Sequence, residues 1–183
     1  MPTVRWENRR MRRALLTALA GTALCVPAVD RAHAQSAATP VPATLNQLMR
    51  GTLYPSANVV FAAQDVNPAD IPRAKDPNMA TDLLTTVFGK WEAVENSALA
   101  ISEVANLLTL PGRKCSNGLD VPVKNADWDK FVQQLRDAGM TAYAAAKTKD
   151  QDKMTDAAGV MTTACANCHN KYREKRNPAD RCK

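Results

Sequence analysis

The residues with the clearest chemical potential lie near the C-terminal end of the chain, where Cys165, Cys168 and His169 form a Cys-x-x-Cys-His motif. Two cysteines three positions apart on a helix share one face and lie about 4.5 Å apart along its axis. Both thiols can then form thioether bonds to the vinyl groups of one porphyrin, and the histidine can bind its iron. The motif therefore predicts one covalently attached haem c.

Other uses of a Cys-x-x-Cys pair fit this sequence less well. A thioredoxin-type dithiol follows a strand in a βαβ unit, and no strand pattern precedes Cys165. A zinc ribbon needs a second Cys-x-x-Cys or a paired histidine motif, and the sequence contains neither. A coincidental match stays open as an alternative, and it would give a helical protein that retains no haem.

Residues 1–34 have the pattern of an export signal that is removed. Five arginines precede position 14, an apolar stretch covers residues 14–29, and Ala32-His33-Ala34 forms an A-x-A cleavage site. The apolar stretch is shorter than the roughly 20 residues of a membrane-spanning helix, so we expect no stable membrane insertion. The mature protein is predicted to begin at Gln35 and to reside in the periplasm.

Removal of this segment changes what the charge of the protein implies. The whole chain has a net charge of +6, but residues 1–34 hold six of its 24 basic and two of its 18 acidic residues, which leaves +2. The mature protein therefore gives no reason to expect nucleic-acid binding. In the mature protein the basic residues are concentrated near the C-terminus. They either form a solvated helix end or face haem propionates and an acidic redox partner. They are Lys171, Arg173, Lys175, Arg176, Arg181 and Lys183.

Apolar or small residues recur at spacings of three and four along most of the mature chain, which predicts an all-α fold. The first helical segment is the least regular, because Pro55 clashes with the carbonyl of Gly51 and favours a kink. Residues 65–80 contain three prolines and are expected to form a connecting loop. Asn125 or Asp127 is a plausible N-cap for the third helical segment. The helical pattern covers residues 43–64, 81–109, 128–145 and 154–172.

These segments predict one antiparallel four-helix bundle over residues 43–176, with the haem attached near the C-terminus of the last helix. A flexible leader, residues 35–42, precedes the bundle, and a tail, residues 177–183, follows it. The two motif cysteines fall on the apolar seam of the last helix, so the porphyrin is expected inside the bundle. Alanine is frequent on the inward positions of the last two helices. It serves there either as a good helix former or to leave room for the macrocycle.

The residues from Cys165 to Arg173 resemble the C-terminal haem helix of the class II cytochromes c, which include cytochrome c′ and the cytochromes c556. In that family an aromatic residue and an arginine follow the motif, as Tyr172 and Arg173 do here. The resemblance implies that Cys165 and Cys168 hold the haem and that His169 binds the iron. It also implies that Arg173 approaches a propionate, while Tyr172 packs either on the ring or in the core.

Two further positions are similar to class II-like bacterial sequences. These share a proline in the first helix, as at Pro55, and a Pro-Gly-Arg after the second helix, as at residues 111–113. Class II proteins are often dimers, so the resemblance leaves a homodimer open.

The sixth coordination position of the iron separates two functions. Once residues 1–34 are removed, His169 is the only histidine, so a second histidine ligand from the same chain is excluded. Leu48-Met49-Arg50 is similar to the Leu-Met-Lys of c556-type members, whose methionine binds iron, and Met49 is therefore the candidate distal ligand. The alternative is that Met49 only fills space in the core, the role we expect for Met161 on the haem helix.

With methionine ligation we expect a periplasmic electron carrier that exchanges electrons with redox partner proteins. His169 and Met49 would hold the iron in both oxidation states, so little would rearrange during transfer. Without it, a five-coordinate iron would bind small gases such as NO or CO, as in cytochrome c′. No acid–base pair stands out beside His169, and we expect that the protein is not an enzyme.

The mature chain has two further cysteines, Cys115 and Cys182. The second and fourth helices of an up-down-up-down bundle end on the same side, and these cysteines follow those two ends. A disulfide is therefore allowed in an oxidising compartment, and two free thiols are the alternative.

Overall fold

The structure is a computed structural model that describes residues 41–182. The predicted export signal, residues 1–34, and most of the predicted leader lie outside the described residues. The described part is helical and contains no strand, only an isolated bridge between Lys114 and Asp120. The helices are α1 (Leu45–Leu48), α2 (Tyr54–Asp65), α3 (Trp91–Ala105), α4 (Ala126–Thr148) and α5 (Gln151–Tyr172).

Helices α2, α3, α4 and α5 form a four-helix bundle in which each packs against two neighbours. The start of α4 meets the end of α5, where the Asn125 side chain donates to the Tyr172 hydroxyl over 3.3 Å. The end of α2 meets the start of α5, where Gln151 Nε2 donates to the Gln64 carbonyl over 3.1 Å. The prediction of an all-α four-helix bundle is confirmed. None of the helices within residues 41–182 is long and apolar enough to cross a membrane.

Helices α1 and α2 continue one another through a π-helical turn, Met49–Leu53. In this turn the Tyr54 N–H donates to the carbonyl of Met49, five residues back. The widened turn lies directly before Pro55, whose ring would otherwise meet the carbonyl of Gly51. The kink predicted at this proline is therefore a local widening of the helix, and Met49 is its first residue.

The prediction of a helix over residues 81–109 is wrong at its start. Helix α3 begins at Trp91, and the preceding residues form a short 3₁₀ turn, Leu83–Thr85, and an irregular loop. Lys90 adopts a φ of 61°, which ends the loop, and its N–H donates to the Leu84 carbonyl over 2.9 Å. At Gly89 an added Cβ would lie 2.2 Å from that same carbonyl oxygen, so only glycine fits the turn.

The core combines a few large side chains with many alanines. Trp128 is buried and donates its indole N–H to the Leu108 carbonyl over 3.0 Å, which joins the start of α4 to the segment after α3. The backbones of α3 and α4 come very close at Gly139, where an added Cβ would lie 2.9 Å from the Ala98 carbonyl oxygen. A side chain larger than glycine would push these two helices apart.

The C-terminal tail folds back onto the loop between α3 and α4. Cys182 forms a disulfide with Cys115, with a Cα–Cα distance of 5.0 Å, so the structure contains the bridged alternative of the two left open by the sequence. The side chain of Asn117 donates to the carbonyls of Ala179 and Arg181, over 3.0 and 2.9 Å. In the chain-entropy model, closing a loop of 67 residues stabilises the fold by about 4 kcal/mol.

Two glycines inside long helices provide a matched test of this packing. Gly159 in α5 has no atom within 4 Å of an added Cβ, so Gly159→Ala should raise the free energy of unfolding by about 0.5–1 kcal/mol through helix propensity. Gly139→Ala should lower it by about 1–3 kcal/mol, because the methyl group meets the backbone of α3. Urea unfolding followed by circular dichroism measures both changes, and equal stabilisation by the two variants would contradict the close approach of α3 and α4.

Candidate functional site

Two cavities of about 320 and 180 Å³ lie in the bundle and share part of their lining. The larger alone falls within the roughly 300–1,000 Å³ of typical ligand pockets. Cys165 lines the smaller cavity. The residues that line both are Met49, Tyr54, Trp128, Cys168 and His169. The structure therefore brings the Cys-x-x-Cys-His motif and the candidate distal methionine to one site.

Helix α5 delivers the motif to this site. It begins at the N-cap Asp150, whose carboxylate accepts hydrogen bonds from the N–H groups of Asp152 and Lys153 over 3.0 and 3.2 Å. Its buried face continues through Met161 and Ala164 at helical spacing and reaches the motif at the other end. Both motif cysteines are half-buried free thiols, and His169 is half-buried beside them.

Burial determines the ionisation of the motif residues. It raises the pKa of the Cys168 thiol to about 11, with smaller contributions from Cys165 and Asp127. Burial also raises the pKa of the Cys165 thiol. It lowers the pKa of His169, and the positive charge of Arg173 lowers it further. The imidazole is therefore neutral near pH 7, which is the form that binds a metal.

Met49 approaches the site from a different helix than His169. Its side chain is half-buried and lines both cavities from the first position of the π-helical turn. Met161 is fully buried and lines the smaller cavity, but it lies on α5 two turns before His169. Of these two methionines, only Met49 reaches the cavities from outside the histidine's own helix.

Tyr172 ties the end of α5 to the start of α4. Its ring is buried edge-on to Trp128, with centroids 4.9 Å apart, and it lines the larger cavity. Its hydroxyl donates to Asp127 Oδ1 over 2.5 Å and accepts from Asn125. The hydroxyl is thus bound within the α4–α5 contact, and the ring contributes to both the core and the cavity wall.

The charged residues that line the larger cavity are Arg50 and Arg173. Arg173 is exposed and its Nε lies 2.5 Å from Glu174 Oε1. No acidic side chain of the described residues lines that cavity, so its rim suits anionic groups such as propionates. Arg50 and Tyr54 also line the site and were not predicted as site residues from the sequence. Arg50 directly follows Met49 and Tyr54 lies five residues after it, and neither position in a regular α-helix indicates the wall of the same cavity.

A protein-family model described as Cytochrome C' matches residues 121–173. The match is consistent with a class II cytochrome c. It covers α4 and α5 with Cys165, Cys168 and His169, while Met49 lies outside it. No curated protein and no solved structure matches the chain.

The match implies a haem cofactor, and the residues of the site fit one. Two free thiols and a neutral imidazole line apolar cavities, and cations line the larger one. Residues 41–182 contain no group of three or more His, Cys, Asp or Glu side chains that could hold a metal ion by themselves. A haem needs no such group, because the porphyrin supplies most of the ligands of its iron.

The hydrogen bond from Tyr172 to Asp127 should make the stability of the fold depend on pH. This bond is the largest cause of the lowered pKa of Asp127, with Lys171 as a further cause. A carboxyl with a lowered folded-state pKa stabilises the fold above its unfolded pKa of about 3.9, and that stabilisation is lost as the pH falls through the folded-state pKa. Tyr172→Phe should therefore lower the free energy of unfolding at pH 7. The difference in this free energy between the variant and the wild type should shrink below about pH 4.

Tyr143→Phe is the control, because no hydrogen bond of the Tyr143 hydroxyl occurs within the described residues. Urea unfolding between pH 3 and 7 measures both variants. A Tyr172→Phe difference that stays constant over this range would contradict the role of Asp127.

Proposed function

We propose that the protein is an exported monohaem c-type cytochrome that carries electrons between redox partner proteins and is not an enzyme. The observation that carries this proposal is that Met49 and His169 line the same two cavities from different helices. A methionine and a histidine together give the iron two protein ligands and raise its reduction potential relative to two nitrogen ligands. A centre with the same ligands in both oxidation states rearranges little during transfer.

Different residues of the chain would bind the vinyl groups, the iron and the propionates of the haem. Cys165 and Cys168 would supply the thiols for two thioether bonds, and His169 and Met49 would bind the iron. Arg173 and Arg50 offset the charge of the propionates at the larger cavity. Trp128 and Tyr172 exclude water from the apolar wall. When bound, the haem supplies the one-electron iron couple that this role requires.

Export to the periplasm is supported by two features. Residues 1–34 have the charge, the apolar stretch and the cleavage site of an export signal. The disulfide between Cys115 and Cys182 is of a kind that persists in oxidising compartments and is rare in the bacterial cytoplasm.

A second candidate function is the binding of small gases such as NO or CO at a five-coordinate iron. It is favoured by the family description, Cytochrome C', and by two leucines that lie four residues before and four residues after the candidate ligand. Leu45 lines the larger cavity and Leu53 the smaller one. In this alternative Met49 and these leucines only screen the distal side, and the iron stays high-spin.

Replacement of the two cavity methionines distinguishes these functions. In the haem-loaded protein we expect a sulfur-to-iron charge-transfer band in the ferric spectrum. Met49→Leu should abolish that band, give high-spin iron, lower the reduction potential and speed CO binding to the ferrous form. Met161→Leu is the matched control and should keep the band, because this residue packs in the core on the histidine's own helix.

Absorption spectra and a potentiometric titration of the three proteins provide the measurement. A wild-type protein with high-spin ferric iron and a spectrum unchanged by Met49→Leu would overturn the electron-carrier proposal and support gas binding. A band that is lost in Met161→Leu and kept in Met49→Leu would assign the distal position to Met161.

A further inference from the structure

Residues 113–115, here called the bracket, contact the start of the helix that carries Met49. The Leu45 N–H donates to the Lys114 carbonyl over 2.8 Å. Arg113 Nη1 donates to the Ala43 carbonyl over 2.6 Å, just before the same helix. Met49 lies one helical turn after Leu45, so these bonds fix the helix at a point one turn before the candidate ligand.

The bracket is also joined to the segment that follows His169. Cys115 forms the disulfide with Cys182, and the Cys182 N–H donates to the Tyr172 carbonyl over 3.1 Å. Cys182 lines the larger cavity together with His169 and Met49. One short segment therefore links the two sides of the cavity, by hydrogen bonds on the Met49 side and by a covalent bond on the His169 side.

Arg113 serves as a clamp within the bracket. Its side chain is only 4% exposed and has no ion-pair partner among residues 41–182. Nε and Nη2 donate to the Leu107 carbonyl over 3.3 and 3.1 Å, while Nη1 reaches Ala43. A guanidinium can hold two separate carbonyls because its donors are fixed in one plane, which a lysine cannot reproduce.

We propose that the bracket positions Met49 opposite His169, and that reduction of the Cys115–Cys182 disulfide lets Met49 leave the iron. The inference rests on the proposed ligation by Met49. In the reduction an external dithiol transfers two electrons and two protons, which yields two cysteine thiols and the oxidised disulfide of the reductant. The thioether bonds at Cys165 and Cys168 are unaffected. The redox state of one disulfide then selects between electron transfer and gas binding.

The test compares three haem-loaded proteins: the wild type, Cys115→Ala/Cys182→Ala and Asp150→Ala. Asp150→Ala is the control for general destabilisation, because it removes the N-cap of α5 at the opposite end of the bundle. The double variant should lose most of the sulfur-to-iron band as the iron changes from low-spin to high-spin. Its ferrous form should bind CO faster. The control should keep the wild-type spectrum.

Two further measurements give independent results. Arg113→Lys keeps the charge but loses the forked contacts, and it should shift the spectrum in the same direction as the double variant. The wild-type holoprotein treated with a phosphine reductant should show the same shift once mass spectrometry of alkylated protein confirms two free thiols.

The outcomes separate the two proposals. A wild type with the band and a double variant with an unchanged spectrum would overturn the bracket while leaving the Met49 ligand in place. A wild type without the band would overturn the Met49 ligand and the bracket with it. An equal spectral change in Asp150→Ala would show that the effect comes from lost stability, which also overturns the bracket.

Discussion

The face of α5 that carries the two motif thiols must be apolar and yet leave space beside it, and the rest of the bundle is arranged around this constraint. The half-buried thiols and imidazole stay neutral, as the raised pKa of Cys168 and the lowered pKa of His169 indicate. Small residues such as Ala164 on the same face allow close helix packing without filling the cavity. An apolar cofactor would then supply the buried area that these small side chains do not.

The distal side of the cavity depends on a departure from regular helix geometry. A continuous α-helix through Pro55 would place its ring against the carbonyl of Gly51, and the π-helical turn avoids this contact. Single π-helical turns often occur at functional sites, because they change the direction of the side chains that follow. Met49 stands at the first position of this turn and lines both cavities. The proline and the candidate ligand are therefore parts of one local arrangement.

Much of this could be predicted from the sequence, because helical periodicity and the Cys-x-x-Cys-His spacing are local signals. The fold class, the seam position of Cys165 and Cys168, and the irregular first helix all follow from residues close together in the chain. The predicted start of α3 was wrong because Leu84 continues the helical spacing of apolar residues although it lies in a 3₁₀ turn, which the backbone at Lys90 separates from α3. The spacing of apolar residues carries no information about that turn.

Features that depend on distant parts of the chain could not be read from spacing. The role of Arg113 requires Ala43 and Leu107 to meet around it, and the disulfide requires the tail to fold back on the loop before α4. Arg50 likewise lines the cavity only because the π-helical turn and the end of α5 meet there. These contacts are set by tertiary packing, which overrides any local pattern.

The proposed function depends above all on Cys165 and Cys168 holding the haem covalently in the cavity beside His169. The most direct test of this attachment is acid–acetone extraction of the haem-loaded protein, followed by intact-mass analysis. The haem should stay with the polypeptide, the mass should rise by one haem, and the Cys165→Ser/Cys168→Ser variant should release it. A wild-type protein that loses its haem on extraction, or that gains no haem mass, would contradict covalent attachment at these two cysteines.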